Sequence, residues 1–248
     1  MAQRPWSRIA AFAWRHCSAP LQHTGRIAAP MLVALAAGAL LAGSIGIARA
    51  QDEAFASNLR LLVAVRHGDA AAIDQALHDG ASVDFRNRLG ETPLLAVLKK
   101  KRYDLAQALL DKGANVNEAA INGVTPLMAA AYAGNAEMLR KLLDKGADPA
   151  PMDRIGQSAM TYAAGEGHTD IVKLLLARGV DPNAVYRNNL TALMWAAGYG
   201  QTETVRALLD AGARSDSVDN RGKTALDMAR EFKHLQTVAA LEGATRKN

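Results

Sequence analysis

Large apolar residues arrive in pairs at a fixed interval along the chain. Leu109-Leu110, Leu142-Leu143, Leu175-Leu176 and Leu208-Leu209 each stand 33 residues from the next pair. Blocks of small apolar residues precede them, at Ala129-Ala130-Ala131, Ala163-Ala164 and Ala196-Ala197. Gly134, Gly167 and Gly200 divide the alanine blocks from the leucine pairs, and Gly80, Gly113, Gly146, Gly179 and Gly212 follow the paired positions. A third series, Gly90, Gly123, Gly156, Asn189 and Gly222, lies two residues before Thr92, Thr125, Ser158, Thr191 and Thr224. No insertion breaks this register over five units. A strict period of this length sets the architecture.

Each recurring residue has a local task. The Thr or Ser hydroxyl is placed to accept from an orphaned backbone N–H at a helix start. Pro93 and Pro126 follow at the first helical position, where proline loses nothing. The alanines let this first helix pack closely, and glycine turns the chain into a second helix carrying the leucine pair. That helix ends at a Gly-Ala corner (Gly179-Val180 in one unit), where glycine accepts positive φ. Asn189 takes the place of a loop glycine, and Asn is the best non-glycine occupant of left-handed backbone. Turn, helix, turn, helix and loop therefore repeat, an all-α pattern in which no single helix pair can bury its own apolar face.

These motifs resemble the ankyrin repeat, which runs Gly-x-Thr-Pro-Leu-His-x-Ala-Ala, then Gly-His, Leu-Leu and Gly-Ala. The nearest passages are Gly123-Val124-Thr125-Pro126-Leu127 with Ala129-Ala130-Ala131, and Gly165-Glu166-Gly167-His168 with Leu174-Leu175. The resemblance implies a solenoid of about six units. Its boundaries read as a cap at 52–86, repeats at 87–119, 120–152, 153–185 and 186–218, and a cap at 219–242, with a polar tail at 243–248. Departures are definite. Leu95, Met128, Thr161, Met194 and Asp227 replace the family's histidine after Pro-Leu, so its loop hydrogen bonds must be absent or substituted. Lys101 and Lys233 stand where other units have the inter-helix glycine.

Charge changes the picture mainly at the front. Residues 1–50 hold Arg4, Arg8, Arg15, Arg26 and Arg49 and no acid. The remainder has 24 Lys plus Arg against 24 Asp plus Glu. The overall basicity is thus the front segment's, and it gives no argument for nucleic acid. After that basic stretch comes an apolar run, Met31 to Ile47, and then Ala48-Arg49-Ala50. Together they have the form of a secretory signal with cleavage between Ala50 and Gln51. Periplasmic export is the expectation; left uncleaved, the same segment would anchor the chain at a membrane. The only cysteine, Cys17, lies in this segment, so the remainder can build no disulfide, thiol nucleophile or cysteine metal site.

Reactive groups do not converge in the sequence. His67, His78, His168 and His234 share no metal-ligand spacing, and His168 falls on a histidine of the family pattern. Asp69, Asp104, Glu137, Asp170 and Glu203 read as first-turn residues complementing helix dipoles. No nucleophile elbow, phosphate loop or dinucleotide fingerprint is present. The expectation is a chain with no catalytic residue, cofactor, metal or small-molecule substrate.

The resemblance implies instead that a protein partner docks on the hairpin tips and the adjoining helix row, with the chain itself a monomer. On this sequence the tips are Arg86, Arg88, Leu89 and Glu91; Ile121, Asn122 and Val124; Met152, Arg154, Ile155 and Gln157; Arg187, Asn188 and Leu190; Arg221 and Lys223. The helix row adds Lys99, Lys100, Tyr132, Glu166, Tyr199 and Phe232. Arginines among apolar and aromatic residues suit a partner with an acidic or mixed surface. The competing readings are an envelope-associated factor held by its uncleaved leader and linked to stress defence, as for some exported proteins of this type, or an enzyme whose site is not recognised. Trp195, among Met194 and Ala196-Ala197, is expected to pack between repeats.

Overall fold

The computed structural model describes residues 40–245, and side chains within residues 52–244. Most of the expected leader therefore lies outside the described residues. Ala48, Ala50 and Gln51 enter only as helical backbone, and the tail at 243–248 is described only in its first residues. Twelve α-helices and no strand occur among the described residues, and no helix there is long and apolar enough to cross a membrane.

The described chain divides into two units. The first comprises residues 40–64 and Asp69–Ser82. It holds most of α1 (Leu40–His67) and all of α2 (Ala70–His78). Ser57, almost fully buried, donates to the Asp79 carbonyl at 2.9 Å, and the Asn58 carboxamide accepts from Ser82 N–H at 2.7 Å. These side-chain bonds tie the end of α2 to the long helix.

The second unit comprises Val65–Gly68 and 83–245. Five helix pairs follow in order: α3 (Pro93–Lys99) and α4 (Tyr103–Asp111); α5 (Pro126–Ala133) and α6 (Ala136–Asp144); α7 (Ala159–Glu166) and α8 (Thr169–Ala177); α9 (Ala192–Gly198) and α10 (Thr202–Asp210); α11 (Ala225–Glu231) and α12 (Leu235–Thr245). First helices stack on first helices, α3 through α11, while α6, α8, α10 and α12 stack as a second row. Ala129, Ala130, Ala131, Ala163, Ala164, Ala196 and Ala197 are all buried between neighbours. Their smallness sets the close spacing of the first row, while Leu109, Leu142, Leu175 and Leu208 fill the space beneath it.

Capping follows the sequence pattern. Thr92, Thr125, Ser158, Thr191 and Thr224 each accept from the backbone N–H three residues on. The family histidine is replaced in two different ways. Thr161 and Asp227 close capping boxes, accepting from the Ser158 and Thr224 N–H groups at 2.8 and 2.9 Å. Leu95, Met128 and Met194 are instead buried at 1 % exposure or less, adding apolar area where hydrogen bonds would have been.

Both turns of each unit end in the same way. At the Gly113 corner, the Ala114 N–H reaches the Leu109 carbonyl and the Gly113 N–H reaches that of Leu110, a Schellman closure that needs left-handed backbone at residue 113. Lys101 and Lys233 take the same conformation without being glycine, with φ of 58° at each. The acidic series needs one correction: Asp69 is an N-cap, accepting from Ala72 N–H, whereas Asp104, Glu137, Asp170 and Glu203 lie inside the first helical turn. It is two positions out of register with them.

Candidate binding surface

Each hairpin tip is a short closed loop. Asn87, Ala120, Asp153, Tyr186 and Asp219 donate N–H to the carbonyl four residues on. In three tips the same residue's side chain also accepts inside the turn. Asn87 binds the Leu89 and Glu91 N–H groups, Asp153 those of Ile155 and Gln157, and Asp219 those of Arg221 and Lys223. Successive tips are linked by backbone bonds from Ile121 N–H to Leu89 O, Arg154 N–H to Asn122 O and Asn220 N–H to Asn188 O. The Tyr186–Leu190 tip contains a short 3-10 turn in which Asn188 and Asn189 both take positive φ.

This construction sorts the expected contact residues. Val124 and Leu190 are buried as tip anchors, Gln157 is almost fully buried, and Leu89 and Ile155 are half-buried. Glu91 turns inward, 8 % exposed, to an ion pair with Lys99 and a bond from the Asn87 carboxamide. Lys100 is exposed with its ammonium on the Arg66 carbonyl. Asn122 is half-buried, its carboxamide oxygen accepting from Val124 N–H. Arg86 is spent on the neighbouring tip, binding the Ala119 carbonyl at 2.7 Å and pairing with Glu118. Arg221 pairs with Asp219 at 2.8 Å, and Lys223 with Glu231. Asp219 is accordingly held below its ordinary carboxylate range: burial pushes the acid up, but the N–H bonds from Lys223 and Arg221 and the guanidinium outweigh it.

What remains outward is smaller. Arg88 and Arg154 are exposed, and their guanidinium groups have no partner among the described residues. Arg187 is exposed with one nitrogen on the Arg154 carbonyl at 3.2 Å. Ile121 and Met152 are exposed among them at 56 % and 51 %, and Asn188 is exposed too. Along the helix row, Tyr132 meets Tyr162 edge-on at 5.8 Å, and Tyr199 is buried and stacked on Trp195 at 6.0 Å. Both rings of the latter pair lie over Gly165 of the preceding repeat, so Trp195 packs between repeats as expected. Glu166 is exposed, and Phe232 is half-buried beside His234.

Beside the tips, two outward apolar residues were not foreseen. Val185 and Val218, at 61 % and 50 % exposure, occupy the repeat position of Met152. The 33-residue period itself was the signal that could have found them, since Met152 was singled out and its counterparts were not. Two of the histidines take structural places: His168 and His234 reach the Tyr132 and Gly198 carbonyls of the preceding repeats at 3.3 and 3.1 Å. Among the described residues no cluster of three or more His, Cys, Asp or Glu could hold a metal ion.

Comparison with known proteins agrees with this geometry. The family model described as ankyrin repeats (3 copies) matches residues 61–153, 96–186 and 160–245. No curated protein matches the chain.

Proposed function

The chain belongs to the ankyrin-repeat family, and from that premise we propose that it is a non-enzymatic interaction scaffold, exported to the periplasm, that binds a protein partner across its hairpin tips. One observation carries the reading. After internal bonds have claimed Arg86, Glu91, Lys99 and Arg221, the tips still present Arg88 and Arg154 with free guanidinium groups, interleaved with exposed Ile121 and Met152. Free arginines beside exposed apolar side chains supply bidentate carboxylate contacts and desolvated area together, the combination from which protein hot spots are made. A rigid stack loses little entropy on binding, which favours recognition by shape.

The test is crosslinking with affinity capture by the full chain and by the variant carrying Arg88→Glu, Arg154→Glu and Arg187→Glu together. Loss of a stoichiometric partner from the variant, with its helical circular dichroism retained, is the expected result. The same captured set from both would overturn the tip surface. Export has its own measurement: N-terminal sequencing of the chain from the periplasmic fraction should begin at Gln51, and a start upstream of the apolar run would replace release with anchoring.

A further inference from the structure

Neighbouring repeats in the second unit are joined below the tips by a ladder of side chains. The Asn117 carboxamide accepts from Asp148 N–H at 2.8 Å and donates to Gly146 O at 3.0 Å. Asn183 repeats both bonds with the same lengths, to Arg214 N–H and Gly212 O. Asp84 supplies the acceptor half to Asn115 N–H at 2.9 Å. In the repeat between Asn117 and Asn183 the equivalent residue is Ala150. Its methyl can make neither bond, and among the described residues no group replaces it on Asp181 N–H or Gly179 O. The tip linkage changes at the same junction: Arg187 reaches Arg154 O with its guanidinium, and no backbone bond joins residues 155 and 187.

The missing rung leaves a groove of about 340 Å³. Ala150, Gly179 and Asp181 line it together with Pro149, Met152, Val180, Val185 and Tyr186. Met152 and Val185 are more than half exposed there. Arg178, paired with Asp144, and Ala184 complete the lining, so a mostly apolar rim surrounds one unpaired donor and one unpaired acceptor. Their chemistry names the occupant. A carboxamide offers an oxygen acceptor and an N–H donor side by side, and Asn117 and Asn183 show that it spans this donor–acceptor pair in the intact rungs. A carboxylate would accept from Asp181 N–H but set a second acceptor against Gly179 O.

We propose that this groove binds an extended segment of a partner protein that inserts an asparagine side chain between Gly179 and Asp181 and lays apolar neighbours on Met152 and Val185. The local backbone is already shaped for such a side chain. Asp148 accepts from Ala150 N–H at 2.9 Å, as Asn115 does from Asn117 N–H at 2.9 Å and Asp181 from Asn183 N–H at 2.8 Å. The inference rests on the partner-binding reading only for the identity of the natural occupant; the groove is separate from the free tip arginines.

The probe is the peptide acetyl-Val-Asn-Val-methylamide, titrated into the full chain with ¹⁵N-labelled aspartate. Asp181 should show a saturable downfield amide shift. The Val-Asp-Val and Val-Leu-Val peptides should bind about tenfold more weakly, the loss expected for one or two hydrogen bonds. Ala150→Asn should abolish the shift by filling the site from within, and should raise Tm by about 2–4 °C as the rung is restored. Ala150→Gly, which leaves the site open, should keep it. Equal binding of the three peptides, an undiminished shift in Ala150→Asn, or no saturable shift would each overturn the proposal. None of these readouts involves the tip arginines, so this site and the tip surface fail or stand separately.

Discussion

The His168 ring lies on the backbone of Gly134: a Cβ added at Gly134 would stand 2.5 Å from Cε1, while Nε2 is 3.3 Å from the Tyr132 carbonyl. The relationship recurs. Arg102 lies over Gly68, Gln201 over Gly167 and His234 over Gly200, each bonding a carbonyl of the preceding repeat between 3.0 and 3.3 Å. In these four junctions the residue opening the second helix closes the turn of the repeat before it, and glycine there supplies both the φ and the missing side chain.

Gly134→Ala should be among the most damaging single-methyl changes in the stack. Left-handed backbone costs an L-residue about 1–2 kcal/mol, and displacing the His168 ring adds to it. A loss of about 2 kcal/mol or more by urea denaturation is expected. Combining it with His168→Ala should recover the steric part alone. A double variant no more stable than Gly134→Ala would show that the ring is not what the methyl meets.

Lys101→Gly should stabilise the protein. Lys101 has φ 58° at a turn where Gly134, Gly167 and Gly200 sit in other repeats. Its stacking neighbour is the short Asn135, whose carboxamide turns to Met138 N–H rather than over the turn. Relief of the backbone strain exceeds the added freedom of glycine in the unfolded chain, so a gain of about 0.5–1 kcal/mol is expected. Lys101→Ala keeps the strained φ and should gain nothing; equal gains from both would assign the effect to lost charge in Lys99-Lys100-Lys101-Arg102.

The stacking alanines should tolerate no added bulk. Ala130 and Ala163 are fully buried in adjacent repeats. Ala130→Leu should cost about 1–3 kcal/mol, whereas Ala150→Leu, at an exposed position, should leave the urea midpoint nearly unchanged. A midpoint equally low in both would mean that the first-helix row is not packed as closely as the buried alanines require.

The repeat period made the helices, their caps and their glycine corners legible, because each of those tasks is local and recurs every 33 residues. Asn189 read correctly because the demand there was backbone conformation, whereas the positive φ of Lys101 was not evident from its departure from glycine. The tips were less legible. Glu91 and Arg154 look alike as charged loop residues, yet one is buried on Lys99 and the other is outward and free. That difference is set by which carbonyls and charges the neighbouring repeat brings alongside. The groove beside Ala150 was hidden for the same reason, since an alanine among loop residues carries no signal until Asn117 and Asn183 are seen bridging repeats.

Asp219 gives the stack a definite response to acid. Its folded-state pKa lies below the ordinary value of 3.8, so its ionised form stabilises the fold above that value, and the contribution is lost as pH falls through the lower, folded value. Asp219→Asn removes the titration but need not remove the turn. Asn87, at the equivalent position, accepts from two N–H groups through its carboxamide as Asp219 does through its carboxylate. The variant should therefore fold, and should be less stable than the parent at pH 7, where the parent keeps its charged pair with Arg221. Measured by urea unfolding, the gap between the two should narrow as pH falls below about 4. Exposed Asp104, Asp216 and Asp227 and Glu137 are depressed in the same direction, so both proteins lose stability in acid and only the difference reports on Asp219. A gap that stays constant from pH 7 to pH 3 would mean that the carboxylate is not ionised preferentially in the folded tip.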